Sequence, residues 1–153
     1  MLHLLALSIG IVAGLRAMTA PAAIAFAAHY GKLDLNGTFL AFLGYKWTPW
    51  ILLVLAIGEL ITDQLPTTPS RKVPVQFGTR ILMGAVTGGA IGTAAGNLWI
   101  GAITGVVGAI IGTLGGAAVR GKLAAAFGKD PPAAFIEDAV AIAAAVLIVL
   151  ALP

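Results

Sequence analysis

Arg16 is the only formally charged residue between Met1 and Gly31 of this 153-residue chain, and its neighbours are apolar or small. A charge midway along a membrane-length apolar stretch costs at least ~2.5–3.5 kcal/mol on insertion scales, so it demands a partner, a wet cavity or a functional role. Candidate partners recur further along: Glu59, Asp63, Arg80, Glu137 and Asp138 all interrupt or border apolar segments. Buried carboxylates can take a cation or a proton, and an arginine among them can hold an anionic group or serve as a movable counter-ion. With 1.5 Å of rise per residue, Glu59, Arg80 and Asp138 each fall about 7–9 Å inside the same side of their helices. Asp63 lies one turn beyond Glu59 on the same face. These six residues are expected to form one substrate- or ion-binding site, a polar vestibule with Arg16 deepest. Arg120 shares that side but also suits a helix C-terminus, where it would snorkel. A second candidate is Ser70 with Arg71, whose hydroxyl and guanidinium precede a helix start and could take an anion or a lipid headgroup.

Composition names the elements that must position these groups. The chain is 59% hydrophobic and 10% charged, with mean hydropathy +1.02. Soluble domains carry about 25% charged residues, so a water-soluble core is not expected. At about 20 residues per span, residues 1–153 make a single all-α transmembrane domain, a bundle of about five helices. The apolar segments run Leu2 to Ala28, Trp47 to Leu65, Val75 to Gly96, Leu98 to Val119 and Ala133 to Leu152. The connections are polar or turn-rich: residues 29–46, the proline-broken PTTPSRKVP, the tight turn Gly96-Asn97, and GKLAAAFGKDPP. The first segment lacks a basic leader and is expected to stay as a helix. Its length, with Gly14, Arg16 and Pro21, reads best as a single tilted, kinked crossing. The alternative is a break near Gly14–Arg16 into two half-helices with both ends on one side.

With the N-terminus on side A, Arg71, Lys72, Arg120, Lys122 and Lys129 fall on that side, against Lys32 and Lys46 on side B. The positive-inside rule then makes side A and the N-terminus cytoplasmic, and the multi-pass chain is expected in a bacterial inner membrane. Trp47, Trp50 and Trp99 land at the side-B interface, where indole rings prefer to sit. The scattered cations exclude nucleic acid as a partner. Membrane lipids, a small ion or solute and a second copy in a homodimer are the partners expected.

Glycines recur every fourth residue at Gly84, Gly88, Gly92 and Gly96, and again at Gly108, Gly112 and Gly116, with Gly101 and Gly105 before them. That zipper-like spacing lets two backbones approach closely, so segments three and four should pack tightly on each other or on a second subunit. AGLR at Ala13 to Arg16, followed later by GKLD, echoes AAVR at Ala117 to Arg120 followed by AAAFGKD. Segments one-two and four-five would then be an inverted repeat around a Gly-rich central hairpin, an architecture of transporters.

The combination G-L-R-x-x-x-A-P-A (Gly14 to Ala22), G-E-L-x-x-D-x-x-P-x-x-P-S-R (Gly58 to Arg71), an arginine-glycine segment (Arg80 to Gly84) and E-D-A (Glu137 to Ala139) resembles the bacterial DUF4126 family of membrane proteins. The resemblance spans nearly the whole chain. It implies a multi-pass membrane protein and a lysine after the second acid, where this chain has Gln64.

Two functions fit. The first is a small transporter or channel using the arginine–acid cluster. The second is a non-transporting lipid-binding or assembly protein whose buried charges are structural. An enzyme is not expected, nor a cofactor or metal. Cysteine is absent, the only serines are Ser8 and Ser70 with no histidine nearby, and no H-E-x-x-H occurs.

Overall fold

The computed structural model describes residues 1–65 and 73–153. Among them are helices α1 (Leu2–Leu15), α2 (Thr19–His29), α3 (Thr48–Thr62), α4 (Pro74–Ala94), α5 (Leu98–Phe127) and α6 (Asp130–Ala151), with a 3-10 turn at Ala41–Gly44 and no strand. The boundaries follow local chemistry. Prolines that need no backbone N–H stand in the first turns of α3, α4 and α6. Asn97 caps α5 by accepting from the Ile100 N–H at 3.1 Å. Gly128 ends α5 in the left-handed conformation, φ 74°.

The core is three helices whose backbones touch. On α4, Gly84, Gly88 and Gly92 face Gly101 and Gly105 of α5, as the four-residue spacing implies. The second α5 row serves a different partner. Gly108 and Gly112 lie against Leu7 and Ile11 of α1, and a Cβ on either would come within 2.9 Å of Ile11 backbone. Gly105 is the point where all three helices meet. A Cβ there would fall on the Gly84 carbonyl and 2.9 Å from the Gly88 Cα, with Gly10 on the remaining side. The glycines remove the side-chain layer that normally separates helices.

The first segment is not the single kinked helix expected but two helices. It breaks at Arg16, whose backbone is extended (φ −141°, ψ 112°). Gly10 sits at Gly105 and Gly14 at Ala109, so α1 runs parallel to α5 and its N-terminus lies toward the Gly96-Asn97 turn. The chain then returns along α2. Beyond α2, Lys32 Nζ donates to the Leu152 carbonyl at 3.2 Å and the Phe39 ring meets Trp99, both at that same end. The two half-helices form a hairpin with both ends at the end of the bundle that holds the Gly96-Asn97 turn. The N-terminus therefore sits with Lys32 and Lys46, opposite Arg120, Lys122 and Lys129, which corrects its placement with the cations. The parallel run of α1 and α5 also removes the inverted repeat, since oppositely oriented units would set those two helices antiparallel.

Among the described residues two helices, α5 and α6, are long and apolar enough to cross a membrane, where about five were expected; α1 and α3 are apolar but shorter. Large apolar side chains face outward along α3, α5 and α6, among them Val54, Ile61, Ile103, Ile111, Leu147 and Leu150. α5 also continues past the expected Val119 to Phe127. The residues KLAAAF after Gly121 are good helix formers, and the nearby charges do not interrupt them.

Candidate functional site

Breaking a helix leaves carbonyls at one end and N–H groups at the other without partners. Here side chains from three other helices supply them. The Gly14 carbonyl, at the end of α1, accepts from Arg80 Nη1 of α4 at 2.7 Å and from the Thr113 hydroxyl of α5 at 3.3 Å. Entering α2, the N–H groups of Ala17 and Met18 each donate to a separate oxygen of the Glu59 carboxylate of α3, both at 2.8 Å. A cation thus stands at a helix C-terminus and an anion at a helix N-terminus, the arrangement that complements both dipoles. Arg80 Nη2 lies 3.7 Å from Glu59, closing the pair across the break. Thr113 lies midway along α5, so this junction sits at half its length.

Arg16 itself turns away from the hairpin. It is fully buried. Its Nε donates to Asp138 Oδ1 at 2.6 Å, and Nη2 also reaches that oxygen. Nη2 lies 2.9 Å from Asp63 Oδ2, Nη1 lies 3.6 Å from Glu137 Oε2, and Nη1 donates to the Leu15 carbonyl at 3.0 Å. Asp138 accepts further from the Gln64 amide at 3.1 Å, so the residue standing where the family resemblance implies a lysine contributes a neutral donor.

A second arginine stands outside the first and shares its carboxylates. Arg120 Nη1 donates to Asp63 Oδ2 and, at 3.3 Å, to Glu137 Oε2. Its Nη2 and Nε engage Asp130 at 2.6 and 3.0 Å in a bidentate pair. Arg16, Asp63, Arg120 and Glu137 thereby alternate in sign around a ring, with Asp138 behind it and Asp130 in front. Of the six acidic residues in the chain, four lie in this cluster; Glu59 serves the hairpin break, and Asp34 bonds Asn36 in the side-B loop. Isolated charges in an apolar medium are costly, whereas such alternation satisfies each group by its neighbours.

The six residues expected to share one site fall into two neighbouring networks, Glu59 with Arg80 on the hairpin backbone and Arg16 with Asp63, Glu137 and Asp138. Arg16 and Glu59 do not bond to each other: Arg16 serves the α3 and α6 acids, and Glu59 serves the α2 N-terminus and Arg80. Arg120, Asp130 and Gln64 join them. For Arg120 and Asp130 the signal was present in their shared side and in the Asp-Pro-Pro helix start; for Gln64 it lay only in the lysine that the family resemblance implies at that position. Ser70 and Arg71 lie outside the described residues.

A family model described as Domain of unknown function (DUF4126) matches residues 3–153, and the chain belongs to that family. No curated protein matches it, nor does any solved structure.

Proposed function

We propose that this member of the DUF4126 family is a small membrane transporter or channel of the bacterial inner membrane, carrying a proton or small cation through the arginine–carboxylate cluster. The observation that carries the reading is the re-entrant hairpin. Non-helical backbone at membrane depth is tolerated only where it is enclosed by protein or lines a wet cavity, and paired half-helix ends are how many transporters build their ion sites. Asp63 and Glu137, shared between two arginines, are the groups that would exchange a proton or cation, with Arg16 as counter-ion. Arg120, Lys122 and Lys129 on the cluster side support a cytoplasmic placement of that side, with the N-terminus on the other face. Trp47, Trp50 and Trp99 are exposed at that other end, as interfacial anchors would be. The described helices are few and the core is filled by backbone, so a complete pathway is expected to use a homodimer interface.

A second reading, a non-transporting lipid-binding or assembly protein, draws on the full pairing of Arg16, which is what a purely structural charge requires. Flux decides between them. Purified protein in liposomes, loaded with a pH-sensitive dye and challenged with proton, sodium or potassium gradients, should show flux that Asp63→Asn reduces at least about tenfold at an unchanged melting temperature. Flux equal to empty liposomes for the parent protein, with a lowered melting temperature for Asp63→Asn, would establish the structural reading instead.

A further inference from the structure

Burial along α5 ends abruptly: Gly101, Gly105, Gly108, Ala109, Gly112 and Thr113 are buried, and no residue beyond Thr113 is. The outer half of this long helix thus lacks the backbone packing that fixes its inner half. It is tied to α3 and α6 by Arg120, which donates to Asp63, Asp130 and Glu137. Exposure grades outward through the same bonds, from 0% at the Arg16 side chain to 15% at Arg120 and 52% at Asp130. Arg120 is therefore the outermost cation of the ring and covers the carboxylates that Arg16 also holds.

We infer that Arg120 is a releasable latch. While bound it closes the cluster toward side A, and when it leaves Asp63 and Glu137 the outer half of α5 moves off, so that water and small cations reach Arg16. This regulation rests on the transport reading, since it supplies the gate for that site. The driving equilibrium is an exchange: Asp63 and Glu137 keep one arginine, Arg16, when the second departs, so opening leaves neither of these two carboxylates without a cation. Asp130 and the Asp63 carbonyl, which accepts from Nη2 at 3.3 Å, set the strength of the closed state.

The chain has no cysteine, so a single introduced thiol reports access cleanly. Ala17 sits at the break beside Arg16 and is 5% exposed. With Ala17→Cys in liposomes, a small cationic methanethiosulfonate should label slowly. Adding Arg120→Ala should speed labelling at least about tenfold, Asp130→Asn about threefold, and Arg120→Lys less than Arg120→Ala. Ala6→Cys, deep in the α1 core, is the control and should stay unlabelled throughout. Equal labelling of Ala17→Cys with and without Arg120 overturns the latch. So does faster labelling at Ala6, which would mean general loosening. Should Arg120→Ala fail to fold, the Asp130→Asn arm decides alone, and an unchanged rate there is a refutation. Labelling is read without any flux, so a latch that works in a protein that moves no ion would fault the transport reading and spare this one.

Discussion

The two halves of the molecule are held together by opposite means. Toward side B, α1, α4 and α5 meet backbone to backbone at glycines, with almost no side chain between them. Toward side A, α3, α5 and α6 meet through arginines and carboxylates that share oxygen atoms. Backbone packing at such range has one geometry, because a displacement of a few tenths of an ångström is a collision. Shared ion pairs have several geometries of similar energy, because a carboxylate can pass from one guanidinium to the next. The contrast separates a rigid frame from an adjustable end, and Arg16 stands at the join.

The sharpest way to break the comparison is on the glycine side. Gly105→Leu places a side chain into the backbones of α1 and α4 at once. It should abolish folded protein, read as loss of the monodisperse peak in detergent chromatography, a penalty above about 3 kcal/mol. Arg16→Met comes next. It leaves Asp138 buried without its cation and should cost about 3–5 kcal/mol in thermal melting, part of which Asp138→Asn in the same chain restores. Glu59→Gln keeps one acceptor of the two used by the α2 N-terminus, so a loss of about 1–2 kcal/mol is expected. Amide exchange should then accelerate at Ala17 and Met18, and unchanged exchange would remove the capping role. The smallest effect should come from Gly115→Ala. It has open space where a Cβ would stand, and should raise stability by about 0.5–1 kcal/mol through helix propensity. A loss there would mean that the unburied half of α5 is packed after all.

Much of the charged end was legible from residue types alone, because an arginine or acid inside an apolar run has few places to go. The similar depth of Glu59, Arg80 and Asp138 follows from that constraint and from helical rise, whereas their division between the hairpin backbone and the Arg16 ring does not. The partner of each charge did not follow. Glu59 engages backbone, a choice that exists only once the chain breaks at Arg16. The break itself was underread, since Gly14, Arg16 and Pro21 fit a kinked helix equally well by pattern. What settles it is the glycine row of α5, half of which is taken by α1, and spacing cannot say which helix a glycine face receives. Orientation of the N-terminus and the apparent inverted repeat failed for the same reason. In α5, GKLAAAF reads as a connection by charge and as a helix by propensity, and propensity decides.

The brevity of α3 has a consequence for the surrounding lipid. Its 15 residues measure about 22 Å against a hydrocarbon slab of about 30 Å, and its end delivers Glu59 and Asp63. A bilayer that meets this outward apolar face must dimple by several ångströms beside it. Under the proposed transport function, headgroups descending toward the acids would shorten the dry part of an ion's path as much as any tunnel through the protein.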